Sequence, residues 1–185
     1  LNFILTNRKI NKGKNEKMKV ILYMAMTING YIAKENDEAP WSDEELESYS
    51  EAVKKFKNLI IGRRTYEIMK KDNNFEKLEN PFTVVVTSQK LNSSKNFASV
   101  QSPKDAVKLL KEKGFKEALV GGGSLLNSSF MKENLIDEII LDIEPKLFGK
   151  GIKLFAEENF ENELELVKTK KLSKSVLQMH YKVLK

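Results

Sequence analysis

A run of three glycines followed by a serine is the first candidate binding motif in this 185-residue sequence. Gly121-Gly122-Gly123-Ser124 follows the apolar stretch Ala118-Leu119-Val120, a predicted strand, and opens a helix predicted to run to Met131. Glycines let backbone N–H groups approach a phosphate, and a helix start adds unpaired donors and the positive end of the helix dipole. The motif therefore predicts a phosphate-binding loop. It does not match the dinucleotide fingerprint, whose third glycine would fall at Leu126.

Two further predicted strands also end in groups that can bind anions. Gly62-Arg63-Arg64-Thr65 follows one strand, and guanidinium groups suit phosphate by charge and by fork geometry. Thr87-Ser88-Gln89-Lys90 follows another and offers two hydroxyls and an ammonium. In an open parallel sheet, ligands bind beyond the carboxyl ends of the strands. A dinucleotide with a pyrophosphate and an extra ribose phosphate would occupy all three loops.

An acidic cluster and the single tryptophan are the candidates for substrate chemistry. Ser42 is a natural N-cap of a predicted helix, with Glu45 at the capping-box position, so Glu45 is either the capping acid or a buried proton donor with a raised pKa. Trp41 either walls a planar substrate or packs on this helix. We expect Glu45 to flank the buried face of the helix and Asp43 to point to solvent. That face is predicted to consist of Leu46, Tyr49, Val53 and Phe56.

The residue types that are scarce exclude several kinds of catalysis. The sequence has no cysteine and one histidine, His180, which lies on the polar face of the last predicted strand and is expected to face solvent. Thiol chemistry is therefore excluded, and neither a serine–histidine triad nor a metal site is predicted. Phosphotransfer of the P-loop type would need a lysine after the glycines, where Ser124-Leu125-Leu126 stands. Hydride transfer needs neither a nucleophile nor a metal.

Composition and charge predict one globular domain behind a basic leader. Hydrophobic residues make up 41% and charged residues 31% of the chain, and no apolar run reaches the length of a membrane span. Residues 1–17 hold five cations and one acid, which is +4 of the net +6. We expect a flexible leader over 1–17 and a single domain over 18–185, with no affinity for nucleic acid or membrane. The lack of cysteine fits a reducing cytoplasm.

Alternating strand and helix signals predict an α/β fold. The central sheet should be mainly parallel, and a C-terminal antiparallel hairpin is predicted from the alternation of Leu177, Met179, Tyr181 and Val183 with polar residues. Predicted strands cover 19–26, 59–61, 82–86, 118–120 and 137–143, and predicted helices start at 42, 65, 102 and 124.

Several motifs, taken in order, resemble a known family. They are Ala25-Met26-Thr27-Ile28-Asn29-Gly30-Tyr31-Ile32-Ala33, Pro40-Trp41, Gly62-Arg63-Arg64-Thr65-Tyr66, Thr87-Ser88-Gln89, Gly121-Gly122-Gly123-Ser124-Leu125, Leu135-Ile136-Asp137-Glu138-Ile139, and Pro145-Lys146-Leu147-Phe148-Gly149-Lys150-Gly151 with Leu154-Phe155. Together they resemble the dihydrofolate reductase superfamily. Within it, the last stretch is similar to the branch of the riboflavin-biosynthesis reductase domain and its stand-alone relatives. The resemblance covers residues 18–185.

The resemblance implies a dihydrofolate-reductase-like three-layer fold and NADPH as cofactor. Backbone groups of Ala25 and Ile32 would hold the nicotinamide carboxamide, and Thr87 and Ser88 would lie by the adenosine ribose phosphate. The remaining implied cofactor contacts are Gly62, Arg63, Arg64 and Thr65 to the phosphates, and Gly122, Gly123, Ser124 and Leu125 to the pyrophosphate.

Two departures from the family pattern concern the substrate. Asn29 stands where the riboflavin branch usually has an aspartate, so we expect an amide rather than a carboxylate to contact the polar edge of the substrate. Folate reductases place an acid shortly after Pro-Trp, and Asp43, Glu44 and Glu45 all stand near that position; we favour Glu45. The usual Leu-Pro between them is absent, so dihydrofolate itself is not the expected substrate.

We therefore expect a cytoplasmic NADPH-dependent reductase acting on a small planar pterin- or pyrimidine-like substrate. The alternative is a non-catalytic NADPH-binding or sensory protein on the same fold. The resemblance also implies a homodimer, for which the strand at 139–143 and the terminal hairpin offer apolar surface.

Overall fold

The computed structural model describes residues 17–89 and 91–185. The leader predicted over 1–17 lies outside the described residues except for Lys17, whose ammonium donates to Asp137 Oδ1 at 2.7 Å. Within the described ranges, no helix is both long and apolar enough to cross a membrane.

Strands and helices alternate through most of the described chain. The strands are β1 Lys19–Thr27, β2 Tyr31–Ala33, β3 Asn58–Gly62, β4 Phe82–Val86, β5 Phe97–Val100, β6 Glu117–Val120, β7 Glu138–Glu144, β8 Ile152–Lys153, β9 Leu164–Lys171 and β10 Leu177–Val183. The helices are α1 Asp43–Phe56, α2 Arg63–Lys71, α3 Asn74–Lys77, α4 Pro103–Glu112 and α5 Ser124–Lys132.

Eight strands form one sheet in the order β5-β4-β3-β6-β1-β7-β10-β9. The six from β5 to β7 are parallel, and β10 and β9 add antiparallel pairs at one edge. This arrangement confirms the predicted fold class. The short strands β2 and β8, which pair with each other in a second sheet, were not predicted because they are only three and two residues long.

Each face of the sheet carries its own hydrophobic core. Val53 of α1 and Met69 of α2 pack on one face, and Leu110 of α4 and Phe130 of α5 pack on the other. Successive β1 side chains alternate between these two cores. Because β1 is buried on both faces, its sequence is a continuous run of apolar residues and does not alternate between apolar and polar residues.

The buried face of α1 is rotated from the predicted one. Leu46, expected in the core, is 52% exposed, whereas Glu45 is 3% exposed. Glu45, Tyr49 and Val53 are spaced four residues apart, so they form one stripe along the helix, and this stripe faces the sheet. The prediction for Leu46 was wrong because a carboxyl occupies the inward position in the first turn.

The expectation that His180 faces solvent was also wrong. Its side chain is 15% exposed, and Nε2 lies 2.8 Å from Glu138 Oε2. The reason is that β10 lies between β7 and β9, so His180 is flanked by side chains of both neighbouring strands.

Candidate active site

The three predicted anion-binding loops leave the same edge of the sheet. They follow β3, β4 and β6, which are parallel and adjacent in the order β4-β3-β6. The glycine loop and the arginine loop are in direct contact, because Gly62 N donates to Gly122 O at 2.8 Å. Thr87 and Ser88 follow β4, two strands from the glycine loop, which is a separation of roughly 10 Å.

Close packing explains why the glycine loop needs glycine. A Cβ on Gly121 would lie 2.6 Å from Tyr49 Oη and 2.8 Å from Leu59 Cδ1. Gly122 has φ +87°, a conformation that other residues rarely adopt, and its Cβ would meet Met24 at 3.0 Å. Glycine at these two positions therefore lets the loop pack directly against Tyr49, Leu59 and Met24.

Helix α5 begins directly after this loop without a side-chain cap. Gly123 is its N-cap, and no side chain bonds the first amides. Helix α2 starts in the same way, with Gly62 as an uncapped N-cap. Two uncapped helix starts at one sheet edge can bind phosphate groups through backbone donors.

The two arginines of the second loop already have anionic partners. Arg63 donates to Glu67 at 2.7 Å, and Arg64 donates through Nε and one Nη to Asp37 Oδ2 at 3.0 and 2.7 Å. Both guanidinium groups are exposed, so these pairs are weak and can exchange for a phosphate. Thr65 lies beside the glycine loop, 3.4 Å from the position of a Cβ on Gly123.

Ala25 and Ile32 are buried on two strands that follow one another in the sequence. Ala25 lies in β1 and Ile32 in β2, joined by a turn in which Gly30 N donates to Thr27 O at 3.0 Å. Ser124 is half-buried at the start of α5, and the Leu125 side chain is exposed.

The amide of Asn29 is engaged within the protein. Its Oδ1 accepts from Thr27 Oγ1 at 2.8 Å and from Phe148 N at 3.3 Å, and its Nδ2 donates to Phe148 O at 2.7 Å. Asn29 therefore anchors the segment that follows β7. A contact with a substrate would have to compete with these bonds.

Trp41 packs against that same segment. Its ring is nearly parallel to Phe148, with 10° between the planes and 6.3 Å between the centroids, and Lys146 Nζ lies 5.9 Å from the Trp41 ring centre. The Lys146 ammonium also donates to Pro40 O. Trp41 and Phe148 together form an aromatic wall beside the start of α1.

Glu45 does not act as the capping acid of its helix. Ser42 Oγ accepts from Glu45 N at 3.3 Å, as an N-cap should, but Ser42 N and Oγ donate to Glu144 Oε1 at 2.9 and 2.6 Å. Glu144 comes from the end of β7 and takes the place of the predicted capping carboxyl. The Glu45 side chain is therefore free to turn inward.

The surroundings of the Glu45 carboxyl favour its protonated form. Burial, together with the negative charges of Asp142 and Glu144, raises its pKa to about 8, and Lys146 opposes the shift only in part. Its Oε2 is buried without a hydrogen-bond partner among the described residues. Asp43 and Glu44 are both exposed, which leaves Glu45 as the acid suited to donate a proton to a bound molecule.

Sequence reasoning missed a buried polar network next to Glu45. Tyr23 Oη donates to Asp142 Oδ2 at 2.7 Å and lies 2.7 Å from Ser48 Oγ, and Gln178 Nε2 donates to Asp142 Oδ1 at 2.9 Å. The signal was present, since Asp142 and Glu144 interrupt an otherwise apolar strand. A charge in such a strand requires partners that sequence spacing does not identify.

Comparisons with known proteins give one consistent family. A family model described as the RibD C-terminal domain matches residues 18–178. The Bacillus subtilis protein YwjB is 34% identical over 170 residues, which cover 88% of this chain and 97% of that protein.

Two solved structures share the fold at low sequence identity. A pyrimidine reductase-like protein from Corynebacterium diphtheriae superposes with a TM-score of 0.71 at 14% identity, covering 92% of this chain and 93% of its own. A diaminohydroxyphosphoribosylaminopyrimidine deaminase/5-amino-6-(5-phosphoribosylamino)uracil reductase from Thermotoga maritima gives 0.70 at 20% identity, covering 91% of this chain and 57% of its own.

Proposed function

The chain belongs to the RibD C-terminal domain family, and on that premise we propose that it is an NADPH-dependent reductase. The proposed reaction transfers hydride to a small planar substrate of the pterin or pyrimidine class. The observation that carries the proposal is Glu45, a carboxyl buried in the first turn of α1 whose pKa is raised, four residues after Trp41 in the sequence.

The residues at the sheet edge suit a dinucleotide phosphate. Glycine lets the loop pack against Tyr49, Leu59 and Met24, and the uncapped start of α5 beside it supplies amides for a pyrophosphate. Arg63 and Arg64 add exposed guanidinium groups, which can exchange their carboxylate partners for phosphate. Thr87 and Ser88 are far enough away to serve the extra ribose phosphate, which supports a preference for NADPH over NADH.

The reduction needs a hydride and a proton. Bound NADPH would supply the hydride, and the chain's own residues would supply the proton and bind the substrate. Glu45 would release its proton to the substrate atom that gains electron density, and Trp41 with Phe148 would bind the planar face of the substrate. Glu45 is 3% exposed, so a bound substrate would shield its proton from solvent water until the product leaves.

Relatives support the substrate class. The Thermotoga protein is described as acting on a phosphoribosylaminouracil, and the Corynebacterium protein as pyrimidine reductase-like. An aromatic wall and a neutral acid suit such a heterocycle, because a protonated carboxyl can donate one hydrogen bond and accept another.

The test is NADPH oxidation with a panel of pterins, pyrimidines and small conjugated carbonyls. We expect turnover with at least one heterocycle, a large loss in Glu45→Gln, and little change in Glu44→Gln, which alters an exposed neighbouring acid. If both variants kept the turnover of the wild type, Glu45 would have no role in the reaction. Equal affinity for NADPH and NADH in a fluorescence titration would contradict the proposed cofactor preference.

A second candidate is a non-catalytic NADPH-binding or sensory protein. The observation that favours it is Asn29, whose amide is already hydrogen-bonded to Thr27 and Phe148. Tight NADPH binding without oxidation by any member of the panel would support this alternative over the reductase.

We also propose that the protein is a homodimer joined through the outer hairpin. Every residue of β9 is exposed, and three of them are the apolar side chains Leu164, Leu166 and Val167. A strand exposed on both faces buries little surface of its own. One end of the strand is acidic, at Glu165 and at Glu163 just before it, and the other is basic. An antiparallel second copy would therefore be complementary in charge.

A further inference from the structure

Three acidic side chains lie close together between α1 and the end of β7. We call Glu45, Asp142 and Glu144 the carboxyl cluster. All three are buried, with exposed fractions of 3%, 0% and 1%. Like charges at close range are costly to ionise together, so the cluster favours holding a proton, and the arrangement of donors decides which member carries it.

Hydrogen-bond donors are distributed unequally over the carboxyl cluster. Asp142 accepts from Tyr23 Oη at 2.7 Å on one oxygen and from Gln178 Nε2 at 2.9 Å on the other. Glu144 accepts from Ser42 N and Oγ on one oxygen and from Lys146 Nζ at 3.0 Å on the other. Donors to both oxygens favour the ionised form of a carboxyl.

Glu45 is the member without such support. Its Oε2 is buried and lacks a hydrogen-bond partner among the described residues. An anion there would be desolvated, would have one oxygen without a donor, and would be repelled by the two other carboxylates. The proton therefore belongs on Glu45.

We propose that Asp142 is a positioning residue for the reductase reaction: its carboxylate, held by Tyr23 and Gln178, faces Glu45 and keeps the proton on it. This inference rests on the proposed function, in which Glu45 is the proton donor. After each turnover the Glu45 carboxylate would be the least stable anion of the carboxyl cluster, so it would take up a proton from water again before the next reduction.

Other charged and titratable groups around Glu45 also affect the pKa of its carboxyl. Glu144 at the end of β7 acts in the same direction as Asp142, and Lys146 just beyond it opposes both. Tyr23 of β1 and Tyr49 of α1 stay neutral, because burial and nearby carboxylates raise the pKa of each phenol. Burial raises the pKa of Asp142 itself. The hydrogen bonds from Tyr23 and Gln178 and the positive charge of Lys170 lower it in part.

The arrangement of α1 explains how the network reaches Glu45. Ser48 and Tyr49 lie three and four residues after Glu45, so all three share one face of the helix. Ser48 Oγ contacts Tyr23 Oη, and the Tyr49 and Tyr23 rings pack edge to face at 5.5 Å. Gln178 bridges Ser48 Oγ and Asp142, with Nε2 3.2 Å from the former.

The experiment titrates the Glu45 carboxyl directly, with the full chain labelled with ¹³C in glutamate and aspartate side-chain carboxyls. The Glu45 signal is assigned by its loss in Glu45→Gln. In the wild type we expect a titration midpoint near pH 8. In Asp142→Asn the loss of a neighbouring negative charge should move that midpoint down by about one pH unit or more.

Glu138→Gln is the matched control. It removes an acid from the same strand that is paired with Lys19 and His180 instead of facing Glu45, and it should leave the midpoint unchanged. Asp142→Ser tests the charge again with a small group that can still accept from Tyr23. An unchanged midpoint in a folded Asp142 variant would overturn the proposal.

A wild-type measurement makes the result independent of the folding of the variants. At pH 7 the Glu45 signal should be that of a protonated carboxyl and the Asp142 signal that of a carboxylate; the reverse would overturn the proposal. Neither readout requires turnover, so a negative substrate panel would contradict the proposed function without deciding this inference. If the protein is active, the high-pH limb of kcat should shift with the midpoint.

Discussion

At the scale of single residues, the proton on Glu45 makes stability depend on pH. The folded-state pKa is about 8 against an ordinary 4.5, so the folded protein binds the proton more tightly than the unfolded chain does. This contribution is fully present below about pH 4.5 and is lost as pH rises toward 8.

Glu45→Gln should remove this dependence. As pH rises from about 5 to about 9, the wild type should lose stability relative to the variant. The difference in their free energies of unfolding should change by on the order of 3–5 kcal/mol in favour of the variant. Urea unfolding at both pH values measures the change. Glu44→Gln, exposed and adjacent, should follow the wild type. A constant offset between Glu45→Gln and the wild type would mean that Glu45 is ionised in the folded protein.

Trp41 is predicted to serve substrate binding through its ring. Trp41→Ala should weaken substrate use by roughly 5- to 150-fold, which corresponds to a stacking loss of about 1–3 kcal/mol. NADPH affinity should be unchanged, and Trp41→Phe should restore much of the activity because it keeps a planar ring against Phe148. Steady-state kinetics and a binding titration separate these outcomes. Loss of thermal stability alone would assign Trp41 to packing.

At the scale of elements, the glycine loop and the start of α5 should carry cofactor affinity. Gly123→Asp places a negative charge at the helix start and should lower NADPH affinity by at least about 100-fold, equivalent to about 2.8 kcal/mol. Gly123→Ala adds only a Cβ, 3.4 Å from Thr65 Oγ1, and should cost much less. Fluorescence titration of both variants with NADPH separates the effect of the added charge on affinity from the effect of the added side-chain volume. Normal binding by a folded Gly123→Asp would move the cofactor site elsewhere.

At the scale of the whole molecule, the proposed homodimer should depend on the exposed side chains of β9. Light scattering at micromolar concentration should give twice the mass of the chain. Leu166→Lys should produce monomers, because it places a cation in the proposed apolar contact. Lys174→Glu, a change of charge in the exposed turn, is a control for general surface effects. A monomeric wild type would contradict the proposal.

Much of the fold follows from signals that are local in the sequence. The apolar runs of β1, β3 and β4 and the helix starts at Ser42 and Ser102 are set by short-range patterns, and the structure has them at the predicted positions. The three predicted anion-binding loops leave the same edge because the carboxyl ends of parallel strands lie there, which the alternation of strands and helices already implied. Predicted contacts of these loops with NADPH stay predictions.

The sequence by itself determined the fold class, the sheet edge from which the glycine, arginine and hydroxyl loops leave, and the lack of cysteine with only one histidine. Only the tertiary structure decided what Glu45 does. Its spacing from Ser42 is that of a capping box, yet Glu144, 102 residues from Ser42, takes the capping bonds and leaves Glu45 buried beside Asp142. A pattern within one helix cannot reveal this, because the protonation of a buried acid depends on charges and donors that other strands bring to it.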